Sequence, residues 1–214
     1  MQLDVQNLSQ PELYKLLTGC IIPRPIAWIS TIDTHGIPNL APFSFFNGVG
    51  SNPPAVSIAV GATESQDGRK DTLRNIQTTN EFVVNIVSEP LAEAMNETAI
   101  NYPSTINEFE AAGLTMASCA IVQPPRVAEA PVSMECHLYT TVPVGNGPGS
   151  ATLVVGTIAT IHIRDDIINE RLHINVQRLQ PIGRLAGSSY AFVRDVFDMP
   201  RARYNSETDK VERS

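Results

Sequence analysis

The sequence predicts a mainly β protein, an antiparallel β-barrel with short flanking helices. Three observations predict it. Runs with strand-like period-two alternation outnumber helical patterns and follow one another in hairpin-like succession. The helical patterns are all short. No GxGxxG follows a strand, so a doubly wound sheet with a dinucleotide site at its first turn is excluded.

The elements follow in order. Ser9-Gln10-Pro11-Glu12 is a capping box with proline in the first turn. Leu13, Leu16 and Leu17 form the apolar stripe of that helix, and Gly19 is expected to end it. Ile26 to Ile32 is rich in β-branched and aromatic residues and reads as a strand. Asp33-Thr34-His35-Gly36 supplies a hairpin turn. The next segment, Asn39 to Asn47, is irregular: prolines at 38 and 42 each remove a backbone donor, which excludes an ordinary central strand. Phe43, Phe45 and Phe46 crowd there with Ser44 among them, and Asn47-Gly48 closes the run.

Val56, Ile58 and Val60 alternate along one strand, and Phe82, Val84 and Ile86 along another. Between them lies a polar loop, Gly61 to Arg69, then a helical pattern from Asp71 to Thr79 with Leu73 and Ile76 facing inward and Asp71 or Thr72 as its cap. Ser88-Glu89-Pro90 opens a short helix carrying Leu91, Ala94 and Met95. A helical excursion from the sheet covers about 88–118, mostly 96–118, where Ser104 is expected to cap a helix ended by Gly113. Strands are expected at 119–122, at Met134 to Tyr139 and, longest, at Thr152 to Ile163, with Val142 to Gly149 as a Gly/Pro loop. The domain reading is an N-terminal helical segment over 1–20, one barrel domain over 21–200 and a tail over 201–214. The end, Asn205 to Ser214, is poor in apolar residues and is expected to be mobile or to lie against a partner subunit.

Composition narrows the function classes. The 214 residues are 43% apolar and 17% charged, enough for a sizeable core and a weak hint of surface buried against another subunit. The net charge of −7, without a basic run, argues against nucleic acid and anionic membranes as partners. Three scattered cysteines make neither a disulfide framework nor a CxxC motif. Cys136 alternates with Met134 and Leu138 and is expected to be a small buried hydrophobe; Cys20, beside Ile21-Ile22, is expected to be buried as well. Four isolated histidines give no metal-ligand spacing, and His137 and His162 read as structural strand residues. The N-terminus lacks a signal-peptide pattern and no apolar run reaches membrane-spanning length, so a cytoplasmic protein is expected. Gly187-Ser188-Ser189-Tyr190 is not a GxSxG elbow, which leaves a serine hydrolase without footing.

The chemistry concentrates in two segments. In Arg69-Lys70-Asp71-Thr72, first-turn amides, the positive helix end, a hydroxyl and two cations together suit an anion such as a phosphate monoester. The aromatic and hydroxylic segment at 43–47 suits a flat, polar-edged ligand. Flavin mononucleotide (FMN) answers both at once.

The motif series Pro23-Arg24-Pro25-Ile26-Ala27-Trp28-Ile29-Ser30-Thr31, Asn39-Leu40-Ala41-Pro42-Phe43-Ser44-Phe45-Phe46-Asn47, Asn52-Pro53-Pro54, Lys70-Asp71-Thr72 and Arg184-Leu185-Ala186-Gly187-Ser188-Ser189-Tyr190 resembles that of the flavin reductase-like, FMN-binding split-barrel family. It runs in order from about residue 14 to about residue 194. The resemblance implies a split β-barrel, a homodimer with FMN near the subunit interface, and hydride or electron transfer through the flavin. It further implies that Ser30 and Thr31 line the ribityl and phosphate side, that Ser44, Phe45 and Asn47 meet the isoalloxazine ring, and that Lys70, Asp71 and Thr72 hold the phosphate. Arg184 and Tyr190 match a late motif near the site. The late Gly-Asp-His-type motif of the family's shorter reductases has no counterpart here. The leading expectation is an FMN oxidoreductase taking electrons from NADH or NADPH and passing them to a small-molecule acceptor. A non-catalytic FMN electron carrier, with 96–118 and 142–149 as a partner surface, is the alternative, and an oxidase-like relative is a third reading. Hydride delivery to a flavin needs no protein acid or base, so no catalytic residue is assigned.

Overall fold

The computed structural model describes residues 1–63, 67–205 and 208–213. After helix α1 (Gln10–Cys20) come strands β1 (Ala27–Ile32), β2 (Pro38–Phe43), β3 (Phe46–Ser51) and β4 (Pro54–Gly61), then helix α2 (Asp71–Thr79) and strand β5 (Glu81–Ile86). Helices α3 (Ala92–Glu97) and α4 (Glu108–Ala111) and the short ribbon of β6 (Met116–Ala117) and β7 (Arg126–Val127) form the excursion. The long strands β8 (Val132–Val144) and β9 (Ala151–Ile163), helix α5 (Val176–Leu179), and the pairs β10 (Ile182–Arg184) with β11 (Tyr190–Phe192) and β12 (Ala202–Asn205) with β13 (Lys210–Arg213) complete the chain.

Seven strands form one antiparallel sheet in the order β2-β1-β5-β8-β9-β4-β3. Its two edges, β2 and β3, are consecutive in sequence and separated only by Ser44 and Phe45. The edges must therefore meet, and the sheet rolls into a barrel split along that seam. The Ala59 amide donates to the Phe45 carbonyl at 2.8 Å, which extends the β3–β4 pairing back into the two-residue link between the edges. Both prolines of β2 fall on this edge strand, where a missing donor is tolerated. Inside, Ala27, Ile29, Val56, Ile58, Val60, Phe82, Val84, Cys136 and Val154 pack together, and α2 seals the barrel with Leu73 and Ile76. Burial pushes the Cys136 thiol up to about 12, which leaves it a hydrophobe and not a nucleophile.

Gly156 is where Phe82 approaches the sheet: a Cβ there would lie 2.3 Å from Phe82 Cζ and 3.2 Å from the His137 carbonyl oxygen. Gly156→Ala is expected to cost about 1–3 kcal/mol of stability, because the overpacked ring must shift. Urea unfolding measures it, with Phe82→Leu in the same chain restoring part of the loss.

The outer face of β1, β2 and β5 packs a second core of Ile26, Trp28, Leu40, Val87, Met95, Phe109 and Val127 beneath the excursion. Trp28 is fully buried and donates to Thr98 Oγ1 at 2.8 Å. A polar knot crosses this layer. Asn85 donates to the Trp28 carbonyl at 3.0 Å and accepts from the Val127 amide at 3.0 Å and Ser133 Oγ at 2.8 Å.

Several elements differ from the sequence reading. Residues 119–122 are not a strand: the amides of Ala120, Ile121 and Val122 turn instead onto the buried Glu135 carboxylate. Phe46–Ser51 is an unpredicted edge strand that pairs with β4 through a bulge. The excursion helix starts at Asn107, whose side chain accepts from the Phe109 amide, and not at Ser104. Val142-Pro143-Val144 belongs to β8, so the loop is only 145–150. Helix α1 runs through Gly19 to Cys20, which is exposed. The tail forms the β12–β13 hairpin, while residues 206, 207 and 214 of it lie outside the described residues, as do 64–66 of the polar loop.

Candidate functional site

Two adjoining cavities flank edge strand β2, sharing Pro42 and Ala99 in their walls. The first, about 530 Å³, lies between β2, the N-terminus of α2 and residues 98–102 of the excursion. The second, about 360 Å³, lies between β2, α1 and the β10–β11 pair.

At the first cavity, helix α2 begins with Lys70 at its N-cap position and no side chain capping it. The expected caps, Asp71 and Thr72, are instead the first two helical residues. Thr72 is 1% exposed and accepts from Asn39 Nδ2 at 3.0 Å. Lys70 Nζ stands 5.8 Å from the Phe43 ring centroid and makes no ion pair among the described residues. The Asp71 carboxylate is paired with Arg74, which also holds Asp67 at 3.0 Å, so the acids at this helix start are neutralised locally. Glu108 completes the wall; it is buried, accepts from the Leu40 amide at 3.1 Å, and burial raises its pKa above the ordinary carboxylate value.

The second cavity is built on Arg24. Arg24 is 4% exposed, and its guanidinium donates to the carbonyls of Thr18 (2.7 Å), Ile21 (2.9 Å) and Leu185 (2.9 Å) and to Ser44 Oγ (3.3 Å). One side chain thus ties α1, the seam between β2 and β3, and the late segment together. Opposite it, Arg184 lies over the Tyr190 ring at 4.5 Å, donates to the Tyr190 hydroxyl and reaches the Gly187 carbonyl at 2.5 Å. The backbones of Arg24 and Arg184 form an isolated antiparallel bridge, N–H to O at 2.9 Å both ways. Gly183 lets that bridge form, since a Cβ there would come within 2.9 Å of Pro23 Cβ.

The residues singled out in the sequence divide accordingly. Lys70, Asp71 and Thr72 line the first cavity, and Ser44, Arg184 and Tyr190 the second. Phe45 lies at the seam with Arg24 5.7 Å from its ring centroid. Asn47 is exposed on β3, its side chain accepting from the Gly48 amide. Ser30 and Thr31 are not brought to either cavity. Both are fully buried: Ser30 Oγ donates to the Pro125 carbonyl at 2.5 Å, and Thr31 Oγ1 accepts from Asn75 at 3.1 Å beneath α2. Strand alternation put their hydroxyls on opposite faces of β1, and each face is covered by another element. Asn39, Glu108 and residues 98–102 were missed as site residues, as was Arg24 despite its place in the first motif. An arginine between two prolines, Pro23-Arg24-Pro25, is the one signal the sequence offers for it. Of the two long connections, residues 98–102 wall the first cavity, whereas Gly149 of the other lies against Gln10 of α1.

The sequence pattern of the flavin reductase like domain matches residues 18–182. The chain belongs to the flavin reductase-like family. An uncharacterized protein of Aquifex aeolicus is 44% identical over 190 residues, covering 89% of this chain and 94% of its own. Nitrilotriacetate monooxygenase component B from Bacillus cereus superposes with a TM-score of 0.88 at 36% identity, covering 93% and 98% of the two chains. The 2-nitrobenzoate 2-nitroreductase of Pseudomonas fluorescens superposes at 0.83 with 34% identity, covering 93% and 95%. A split-barrel protein of Shewanella frigidimarina, 20% identical, shares the fold at a TM-score of 0.80. This flavin reductase-like protein is therefore a split-barrel flavoprotein among flavin-related oxidoreductases. No described helix is long and apolar enough to cross a membrane, and no described group of three or more His, Cys, Asp and Glu could hold a metal ion.

Proposed function

We propose that this protein is a homodimeric FMN-dependent oxidoreductase that takes hydride from NADH or NADPH and passes electrons to a small-molecule acceptor. The observation that carries the FMN reading is the uncapped start of α2. Its first-turn amides, the Lys70 ammonium, which has no ion pair among the described residues, and the Thr72 hydroxyl border one cavity, the donor set of a phosphate monoester. The fit is chemical as well as electrostatic, because the acids nearby are already tied to Arg74. Bound flavin supplies the hydride-accepting centre. The chain's own part is to hold it: Lys70 and Thr72 at the anionic end, and the proline-broken edge β2 alongside.

Support for a dimer is the exposed apolar surface: Leu17, Ile21 and Ile22 at the end of α1, and Phe197 and Met199, 80% and 79% exposed, in the late segment. Sedimentation is expected to give a species of twice the 23.2 kDa chain mass.

The reaction is tested by anaerobic absorbance titration of the FMN-loaded protein with NADH and then NADPH. Bleaching of the flavin band near ~450 nm, at a rate rising with donor concentration, is the expected result and selects the donor. A protein bleached by dithionite but by neither nucleotide would be an electron carrier instead. A protein that takes up no FMN overturns the proposal.

A further inference from the structure

The second cavity carries an electrostatic arrangement that the fold alone does not explain. Arg24 and Arg184 face each other across an antiparallel bridge, where like charges directly opposite destabilise the pairing. Neither makes an ion pair among the described residues, and no Asp or Glu lines the cavity. The hydrogen bonds of both go to neutral acceptors, three backbone carbonyls and Ser44 for Arg24, and Tyr190 and Gly187 for Arg184. These bonds hold Arg24 in place and part of Arg184, but they leave two positive charges uncancelled, one of them buried. An anion in the cavity would relieve both the repulsion and the cost of burial. Tyr14, Phe43 and Tyr190 supply aromatic walls and Thr18 and Asn96 neutral polar ones around a volume of about 360 Å³, within the ~300–1,000 Å³ typical of small-molecule pockets.

We propose that this cavity binds an organic anion, a carboxylate or phosphate ester on a planar body, as the molecule that exchanges electrons with the flavin next door. Arg184, partly buried and with guanidinium hydrogens to spare, makes the direct contact; Arg24, locked by four acceptors, supplies a fixed field and positions Ser44. The proposal rests on the reading that flavin occupies the first cavity.

Isothermal titration of the FMN-loaded and the flavin-free wild-type protein with benzoate, phenyl phosphate and the neutral isostere benzamide tests it without any variant. At least one anion is expected to bind about tenfold or more tightly than benzamide, and the tighter of the two identifies the recognised group. Arg184→Ala is expected to remove that preference while changing FMN affinity less than about twofold. Equal binding of anion and amide, or no binding of any probe, overturns the proposal. So does an Arg184→Ala loss of FMN affinity as large as the loss of anion affinity, which would give the cavity to the flavin itself. If the protein takes up no FMN, the flavin reading fails on its own, and anion preference on the flavin-free protein still reports on this cavity.

Discussion

Glu135→Gln is expected to lower the unfolding free energy at pH 7 by about 3 kcal/mol, the range for breaking a buried, multiply hydrogen-bonded charge. The Glu135 side chain is fully buried on the outer face of β8. Burial by itself would raise its pKa; the Ala120 amide, the His162 ring at 2.5 Å and the amides of Ile121 and Val122 reverse this and hold it at about 2. A glutamine keeps one acceptor oxygen and turns an NH2 toward backbone donors, so at least one amide loses its partner. The pH dependence follows from the direction of the shift. Because the folded pKa is depressed, the stabilisation is fully present above the unfolded value near ~4.3 and is lost as pH falls toward 2. Over that window wild-type stability is expected to drop by about 3 kcal/mol more than that of the glutamine variant. Urea unfolding at pH 7 and at several acid pH values measures both. A loss under about 1 kcal/mol with parallel acid profiles would show that the 119–123 strap does not depend on this carboxylate.

Lys70→Ala with Thr72→Ala is expected to weaken FMN binding about 10- to 100-fold while leaving riboflavin binding nearly unchanged, the range for hydrogen bonds to a charged group. Riboflavin lacks the phosphate, so it reports any general distortion. That control matters because Thr72 is buried and bonded to Asn39, and its loss also frees an amide. Quenching of flavin fluorescence gives both affinities. Equal losses for the two ligands would put the phosphate away from the start of α2.

Much of this molecule was legible in the chain itself. Helix α2 occupies Asp71–Thr79 as its apolar spacing requires, with Leu73 and Ile76 in the barrel. The prolines at 38 and 42 excluded a central strand, and they lie on an edge. Strands β4 and β9 follow their alternation closely, because a half-buried strand writes one face in apolar residues. The errors cluster where a distant group decided the backbone. Ala120 to Val122 has strand-like residues, yet its amides went to a carboxylate 13–15 positions away. Phe46–Ser51 looked like the end of a loop and became a strand because β4 offered it a free edge. Ser30 and Thr31 had the right chemistry for a site, but burial gave their hydroxyls to Pro125 and Asn75.

By itself, then, the sequence determined most of the strands, the short helices and the split-barrel family, since periodicity, turn chemistry and helix polarity are local properties. Only the tertiary structure decided which of the chemically suitable residues reach a cavity. It also set Arg24 against Arg184, residues 160 positions apart, across a single bridge. Hydrogen-bond partners and charge neighbours are set by closure of the barrel, and no local pattern encodes a contact that exists only once distant segments have met.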